Sequence, residues 1–390
     1  MNTSVAQSRP SGLAGLTGST MGLVLIAAVI GLVAAGGFVL SQLLTVGHTA
    51  YNSDSRGIFW GLPIVTYDFF LLSSTGLAML ASASTVFGMK TFEPIARRAT
   101  WLAVAALVGG VAALFMELGH PLRALLLIPF SFQTDAPLVW KVWGVIVYTL
   151  ALAWLVLKWL AAGSAPVPRA AALVAFVAAV YITFVAGGVY GWMAMRPFWF
   201  GGEISLAFIV EALLGAVTFV IIFTHLAHGL DSGRFDERTR ALFTGPLAAL
   251  FAVLIVAHAF FVVSRLVAGL WSNADGMQVW HHLWSRGAFQ GQLWIGIGVP
   301  LAITVLPGLR KSLALQLVAA VIAIVALFAA RYDFVIGGQL VALFKGSWAH
   351  GLLEYSPSPT EWAVLATALF LANVINAAGE KKLGLGAPSA

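Results

Sequence analysis

The residues most able to do chemistry in this chain are four ionisable side chains inside long stretches that carry no other charge. They are Asp68, Glu117, Glu211 and His258. A charge inside the hydrocarbon of a membrane costs at least about 2.5 kcal/mol, and residues kept there mark proton relays, ion pathways or ligand sites. Carboxylates and imidazoles exchange protons readily. We therefore predict that these four residues are functional.

Three of the four are expected well inside their apolar stretches. Asp68 lies nine residues after Phe59, which is roughly 13 Å of helix at about 1.5 Å per residue. Glu211 and His258 reach a similar depth from the same side. Three titratable groups at one depth could form a proton relay or one wall of a ligand pocket. The alternative is that each is satisfied separately by a neighbouring hydroxyl group or backbone carbonyl.

Glu117 and His120 lie three residues apart at the end of another apolar stretch. If the helix continues through them, residues at this spacing share one face. There, at the boundary between lipid and water, both side chains could exchange protons. The alternative is that Glu117 is a helix-end carboxylate paired with Arg123.

The composition excludes a soluble domain. Of the 390 residues, 60% are hydrophobic and 9% are charged, whereas about a quarter of the residues in soluble domains are charged. Cysteine is absent, so disulfides, thiolate-held iron–sulfur clusters and thiolate zinc sites cannot form within this chain. We predict no metal site. The net charge of +6 comes without a basic stripe interleaved with aromatics, so we predict no nucleic-acid partner.

The chain has ten apolar windows long enough to cross a bilayer as helices. We predict an all-α integral membrane protein with a polar N-terminal tail at 1–20, a transmembrane domain at 21–378 and a C-terminal tail at 379–390. The windows are 21–44, 59–88, 98–118, 138–162, 170–195, 204–230, 241–267, 291–309, 312–332 and 362–378.

The lysines and arginines are distributed unequally between the two sets of connections. Thirteen of the 21 fall in one set, and that set should face the cytoplasm, since cytoplasmic loops are enriched in these residues. Both termini are then cytoplasmic, and tryptophans cluster at the opposite lipid interface. The other set comprises Arg56, Arg123, Lys141, Arg196, Arg265, Arg286, Arg331 and Lys345.

Three connections on the non-cytoplasmic side are long or rich in aromatic residues: 119–137, 196–203 and 333–361. Long connections in compact proteins are usually functional or disordered, and aromatic residues argue against disorder. We expect these segments to form a cap on which a periplasmic partner sits. The alternative is that they are interfacial helices that only seal the bundle.

Several short strings in this order resemble the membrane subunits of the NrfD/PsrC (polysulfide reductase membrane subunit) family. The resemblance extends from about residue 57 to 378. Length and helix count are similar to the longer, ten-helix branch with DsrP-like and HybB-like subunits. The strings are Trp60-Gly61-Leu62-Pro63, Pro94-Ile95-Ala96-Arg97-Arg98, Glu117-Leu118-Gly119-His120-Pro121-Leu122-Arg123, Arg196-Pro197-Phe198-Trp199, Arg331-Tyr332-Asp333-Phe334-Val335-Ile336-Gly337-Gly338-Gln339 and Tyr355-Ser356-Pro357-Ser358-Pro359-Thr360-Glu361.

This resemblance implies two four-helix bundles with additional helices, in a multi-pass protein of the bacterial inner membrane. It also implies a protein that handles quinone, either menaquinone or ubiquinone, as a diffusible cofactor and holds no haem or iron–sulfur cluster of its own. Electrons would pass to or from a ferredoxin-like iron–sulfur subunit on the periplasmic face. That subunit would serve a molybdopterin enzyme, a hydrogenase or a multihaem cytochrome. Proton translocation could accompany the reaction.

Quinone chemistry moves two electrons and two protons, so its site needs hydrogen-bond partners for the carbonyls, a proton-exchanging group and an apolar slot. Glu117 matches an acidic residue of the family, and His120 stands where arginine is more common. Ser74 lies where several relatives carry histidine, and His48 resembles a histidine of the long branch. The candidate quinone-binding residues are His48, Tyr67, Ser74, Glu117, His120 and Arg123.

Two other classes of membrane protein are alternatives to this interpretation. A b-type cytochrome needs two axial histidines at matched depth, and only His258 is deep. A secondary transporter uses helices broken by glycine or proline near the midplane. Gly187-Gly188 and Pro300 could be such breaks, so the transporter stays the alternative function.

Overall fold

Ten long helices make up the protein. The computed structural model describes residues 19–53, 57–162, 168–343 and 351–385, and this part of the chain contains no strand. The prediction of an all-α protein with ten membrane-spanning helices is confirmed. The helices are α1 Thr20–Thr45, α2 Leu62–Thr85, α3 Lys90–Glu117, α4 Pro137–Ala162, α5 Arg169–Gly191, α6 Glu203–Ala227, α7 Glu237–Trp271, α8 Gly287–Val305, α9 Leu313–Gly337 and α10 Pro359–Leu383.

The ends of two helices differ from the expectation. Helix α9 continues to Gly337 and α10 to Leu383, each five residues beyond the predicted window. Both extensions carry charged residues that a hydropathy window rejects. In the structure Asp333 and Glu380 are paired with arginines, so they remain helical. Most of the predicted N-terminal tail, and 386–390 of the C-terminal tail, lie outside the described residues.

The helices form two rings of four. In the first bundle α2 packs on α3 and α5, and α4 closes the ring between them; in the second, α6, α7, α8 and α9 pack on one another in order. Helix α2 is almost entirely buried because it also packs on α6 of the second bundle. The remaining helices, α1 and α10, pair with each other, and α10 packs on α3. The structure thus has the expected arrangement of two bundles with additional helices.

Glycines allow the two bundles to meet at close range. A Cβ atom on Gly76 of α2 would lie 1.8 Å from the carbonyl oxygen of Ala212 in α6. Within the first bundle, a Cβ on Gly110 of α3 would lie 2.8 Å from the Cβ of Phe70. Small residues at such positions let helix backbones approach each other, which is how helices associate in lipid.

The candidate helix breaks of a transporter have packing explanations. Helix α5 is continuous through Gly187, whose missing side chain admits the backbone of Ser205. Helix α8 is also continuous, with a π-helical turn over Gln292–Ile297 just before Pro300. Proline lacks the N–H group and clashes with the carbonyl four residues earlier, and a wider turn accommodates it.

The structure corrects the assignment of several cations to connections. Lys141 lies in α4 and Arg331 in α9, and both are buried in ion pairs. Arg265 lies in α7, and Arg56 and Lys345 are outside the described residues. Ten crossings return both described ends to the same side. With Lys141 and Arg331 removed from the sparse set, the unequal distribution of loop cations becomes stronger, and a cytoplasmic location of both termini stays our prediction.

A reporter enzyme that works only in the cytoplasm tests this orientation. We expect activity when it is fused after Lys382 or inserted within 231–240, since these positions lie on the side with most loop cations. We expect no activity for an insertion within 126–134. The reverse pattern of activities would move every site discussed below to the other face of the membrane.

The close contact between α2 and α6 predicts a large effect of one methyl group. Gly76→Ala should lower the free energy of unfolding by about 1–3 kcal/mol or more, because the new Cβ meets backbone atoms that cannot move independently. The measurement is the thermal unfolding midpoint of the purified protein in detergent. Gly37→Ala in α1 is the matched control, since its Cβ would meet no atom within 4 Å. Equal midpoints for the two variants would contradict this packing.

Candidate functional site

The end of α3 forms the first cluster of candidate residues. Glu117 is the last residue of the helix, and its Oε2 atom is buried without a hydrogen-bond partner. The carboxylate does have a hydrogen bond with the Ser53 side chain. His48 lies on a 3₁₀ turn after α1, and its Nε2 atom is 3.1 Å from the backbone oxygen of Glu117. The connection from α1 to α2 therefore folds over the end of α3.

A second carboxylate, Glu361, faces the same region and was missed in the sequence. It is fully buried in the first turn of α10, where it accepts hydrogen bonds from the Tyr355 hydroxyl at 2.6 Å, the Ser358 N–H at 2.6 Å and the Asn52 N–H at 3.3 Å. Burial and the negative charges of Glu117 and Glu361 raise the pKa of Tyr51. We call His48, Tyr51, Glu117 and Glu361 the Glu117 cluster. The signal in the sequence was the capping box that Ser358 and Glu361 form.

His120 and Arg123 lie outside this cluster. Helix α3 ends at Glu117 because Leu118 is extended, so the helical turn that would bring His120 onto the same face is not formed. His120 is exposed and precedes the short helix Pro121–Leu127. Arg123 is exposed on that helix, and the Oε2 atom of Glu117 is without a partner rather than paired with it.

Asp68 is the centre of a sealed cluster in the first bundle. It is fully buried; its Oδ1 atom is 2.6 Å from Nζ of Lys141 in α4, and its Oδ2 atom accepts a hydrogen bond from the Tyr190 hydroxyl in α5. The ammonium group of Lys141 also lies 4.9 Å from the ring centre of Tyr67. The candidate Tyr67 therefore packs against the cation that neutralises Asp68. In the sequence Lys141 resembled a residue of the membrane interface, and no local signal paired it with Asp68.

Ser74 is equally enclosed. Its hydroxyl donates to the backbone oxygen of Ala103 at 2.7 Å and lies 2.8 Å from the hydroxyl of Tyr148. Both side chains are fully buried. These contacts join α2 to α3 and α4 and leave Ser74 without access to the lipid or to water.

Glu211 and His258 meet in the second bundle. His258 of α7 lies with Nδ1 3.4 Å from Oε1 of Glu211 in α6, and Arg331 of α9 donates a hydrogen bond to Oε2 of the same carboxylate. Two of the three residues predicted at one depth are therefore neighbours. Asp68 is separate from them, because it lies in the other bundle. Arg331 was not predicted, since a cation near the end of a hydropathy window looks like a loop residue.

A cavity of about 80 Å³ lies within the ring of α6 to α9. Its polar lining includes Glu211, His258, Arg265, Gln292 and Asp333. Asp333 accepts hydrogen bonds from Gln292 at 2.6 Å and from Arg286 at 2.9 Å. The remaining lining is apolar and includes several aromatic rings.

The connections on the side opposite the termini hold each other in place. Gln339, just after α9, accepts hydrogen bonds from the N–H groups of Phe59 and Trp60 at 2.9 Å each. Arg196 donates to the backbone oxygen of Val341 at 2.7 Å, and burial lowers the pKa of its guanidinium. The Trp199 indole donates to the backbone oxygen of Phe334 at 2.7 Å. A surface cleft of about 420 Å³ lies beside these residues.

The fold defines a multi-pass membrane protein with ionisable clusters in two helical bundles. The family described as Polysulphide reductase, NrfD matches residues 50–342. This match covers more than half of the chain, and the chain therefore belongs to the NrfD family.

Two relatives match most of the length of the chain. One, from Halobacterium salinarum, is named as a putative dimethyl sulfoxide reductase membrane protein of the C type, and it is 25% identical over 89% of this chain and 90% of its own length. The other is the C subunit of selenate reductase from Mesobacillus selenatarsenatis, which is 24% identical over 81% of this chain and 82% of its own length.

The pairing of Lys141 with Asp68 predicts an asymmetric mutational effect. Lys141→Met should lower the free energy of unfolding by about 3–5 kcal/mol, because it leaves a buried carboxylate without its cation, whereas the double variant with Asp68→Leu should recover much of this loss. Thermal unfolding of the purified protein measures both. Lys158→Met is the control, since Lys158 is exposed on the same helix. If Lys141→Met unfolds at the same temperature as Lys158→Met, the ion pair does not stabilise the bundle.

Proposed function

We propose that this chain is the quinone-reactive subunit and membrane anchor of a respiratory or sulfur-metabolising oxidoreductase complex. Membership of the NrfD family supports this function, as do the names of two relatives, which are membrane or C subunits of reductases. Those names favour a reductase, such as a molybdopterin enzyme, as the catalytic partner over a hydrogenase or a multihaem cytochrome. We further propose that residues 21–378 are the membrane domain and that the protein resides in the bacterial inner membrane.

The electrons must be exchanged with another protein of the complex. The chain has no cysteine that could hold an iron–sulfur cluster. We propose that a ferredoxin-like iron–sulfur subunit docks on the periplasmic connections. The support is that these connections are held rigidly by hydrogen bonds from Arg196, Trp199 and Gln339, and a preformed surface reduces the ordering needed for binding.

We place the quinone at the Glu117 cluster. The single observation that supports this site is the buried Oε2 atom of Glu117, which has no hydrogen-bond partner. An unpaired buried oxygen of this kind is costly unless a ligand or water satisfies it. When bound, quinone supplies the two-electron, two-proton chemistry. Glu117 would hold the exchangeable proton at Oε2, and the exposed ring of His48 would provide a second polar contact.

The two carboxylates of the cluster have different capacities. Glu361 accepts three hydrogen bonds and is fixed at the start of α10. Glu117 retains one oxygen without a partner. Because proton exchange needs a free position on the carboxylate, Glu117 is the better general acid or base. Glu361 then acts as a fixed negative charge that keeps the α10 start against the α1–α2 connection.

The other candidates have smaller roles in this proposal. His120 and Arg123 are exposed beside the cluster and could contact the entering ligand from the aqueous side. Tyr67 and Ser74 are closed off by their own contacts with Lys141 and Tyr148, so we assign them to packing. The transporter alternative loses its basis because the helices with the proposed breaks are continuous.

Glu117→Gln is the direct test of the site. This change keeps the shape of the side chain and removes its titration, so quinone-linked turnover should fall by about 10²-fold or more. Assembly of the complex and the activity of its catalytic partner with artificial electron carriers should remain. His48→Gln and His120→Gln should lower turnover less. Turnover is measured as quinol oxidation or quinone reduction by the purified complex.

The matched control is Glu237→Gln, which alters an exposed carboxylate at the start of α7. It should turn over quinone like the unaltered complex. If Glu117→Gln also turns over normally between about pH 5 and pH 9, a range that spans the usual titration of acid–base groups, Glu117 has no role in proton exchange and the proposed site is wrong.

A further inference from the structure

The cavity within α6 to α9 is separate from the Glu117 cluster and belongs to the other bundle. Its volume of about 80 Å³ is roughly half that of the cavity of about 150 Å³ that binds benzene in an apolar core. A quinone ring is larger than benzene, so this cavity is too small for the head group. The space suits a few water molecules, and a cavity lined by polar groups retains water, whereas an apolar one stays dry.

The carboxylates near this cavity are neutralised by fixed cations. Glu211 is paired with Arg331. Asp333 is paired with Arg286 at 2.9 Å, and Arg265 of the lining is paired with Glu203 at 2.6 Å. Because arginine keeps its proton in proteins, these three pairs cannot store or release one without separating. The group on this cavity that can change its charge is the imidazole of His258.

The geometry of His258 gives it a free position for a proton. Its Nδ1 atom is 3.4 Å from Oε1 of Glu211. A neutral imidazole has one N–H group and one lone pair, so when Nδ1–H points to the carboxylate, the lone pair is on Nε2. A proton added to Nε2 produces an imidazolium next to a carboxylate, and that opposite charge stabilises it.

We propose that the hydrated cavity of α6 to α9 is a proton-holding site in which Nε2 of His258 takes a proton from cavity water and Glu211 stabilises the imidazolium. One N–H bond forms at Nε2 and one O–H bond breaks in the protonated water, with no change in oxidation state. The site goes beyond the proposed quinone chemistry, since it binds a proton in another bundle and needs no quinone. The charged and titratable groups around it are Glu203 and Glu211 on α6, Arg265 on α7, His281, His282 and Arg286 before α8, and Arg331 and Asp333 on α9.

The wide turn of α8 fits this role. Four residues of the π-helical segment Gln292–Ile297 line the cavity, and Gln292 connects the segment to Asp333. A π turn places an additional residue on one face of a helix and is frequent at functional sites. In this helix it precedes Pro300 and turns a polar amide towards the interior of the bundle.

The test is infrared difference spectroscopy of the purified full complex, in which the pH is changed and histidine rings carry isotope labels. The unaltered complex should show a buried imidazole band that appears between about pH 8 and pH 5, the range in which histidine usually titrates. His258→Gln should remove this band. His281→Gln, which changes an exposed histidine on the short helix Gln278–Ser285, should leave it.

Glu211→Gln identifies the stabilising carboxylate. Loss of its charge should move the His258 band to lower pH by about one unit or more, which is about a tenfold weaker proton binding. If Glu211→Gln fails to assemble because Arg331 loses its partner, the double variant with Arg331→Met removes both charges and should give the same shift.

Two results would overturn this proposal. One is an unchanged set of pH-dependent imidazole bands in His258→Gln, and the other is a His258 band that stays at the same pH without Glu211. The measurement reports proton binding in the resting complex and requires no turnover. A failure of the quinone site at Glu117 would therefore appear in the turnover assay and leave this result unaffected.

Discussion

The structure depends on one constraint, which is that a charge inside hydrocarbon must have a partner of opposite charge. Asp68 has Lys141, Glu211 has Arg331, and Arg98 has Glu380 at 2.5 Å. Each pair joins two helices that are distant in the sequence: α2 to α4, α6 to α9, and α3 to α10. The ion pairs therefore set which faces of apolar helices meet, a choice that lipid-like side chains alone would leave open.

The same constraint separates structural groups from those with capacity for chemistry. Asp68 and Ser74 are fully buried, and every described contact of theirs is internal to the first bundle. Glu117 is different because one of its oxygens is unsatisfied. His258 is different because it lines a cavity beside the charge of Glu211. Proton chemistry is thus assigned to two places, one at the edge of the first bundle and one inside the second.

The ten spans and their order were readable in the sequence because hydropathy is a local sum over about twenty residues. The same method fails at charged helix ends. Asp333 and Glu380 looked like loop residues, yet the helices continue through them since arginines from elsewhere in the chain neutralise them. At Glu117 the opposite happened. The helix was expected to continue to His120, but Leu118 takes an extended conformation and the helix stops.

The sequence by itself determined the class of protein, the number of helices, the family resemblance and the short set of deep ionisable residues. Only the tertiary structure decided their partners. It paired Asp68 with Lys141, brought Glu211 to His258 and Arg331, and placed Glu361 near Glu117. The reason is physical: hydropathy is averaged around a helix, whereas a contact depends on how each helix is rotated about its axis and which neighbour it meets, and this is fixed by packing across the whole bundle.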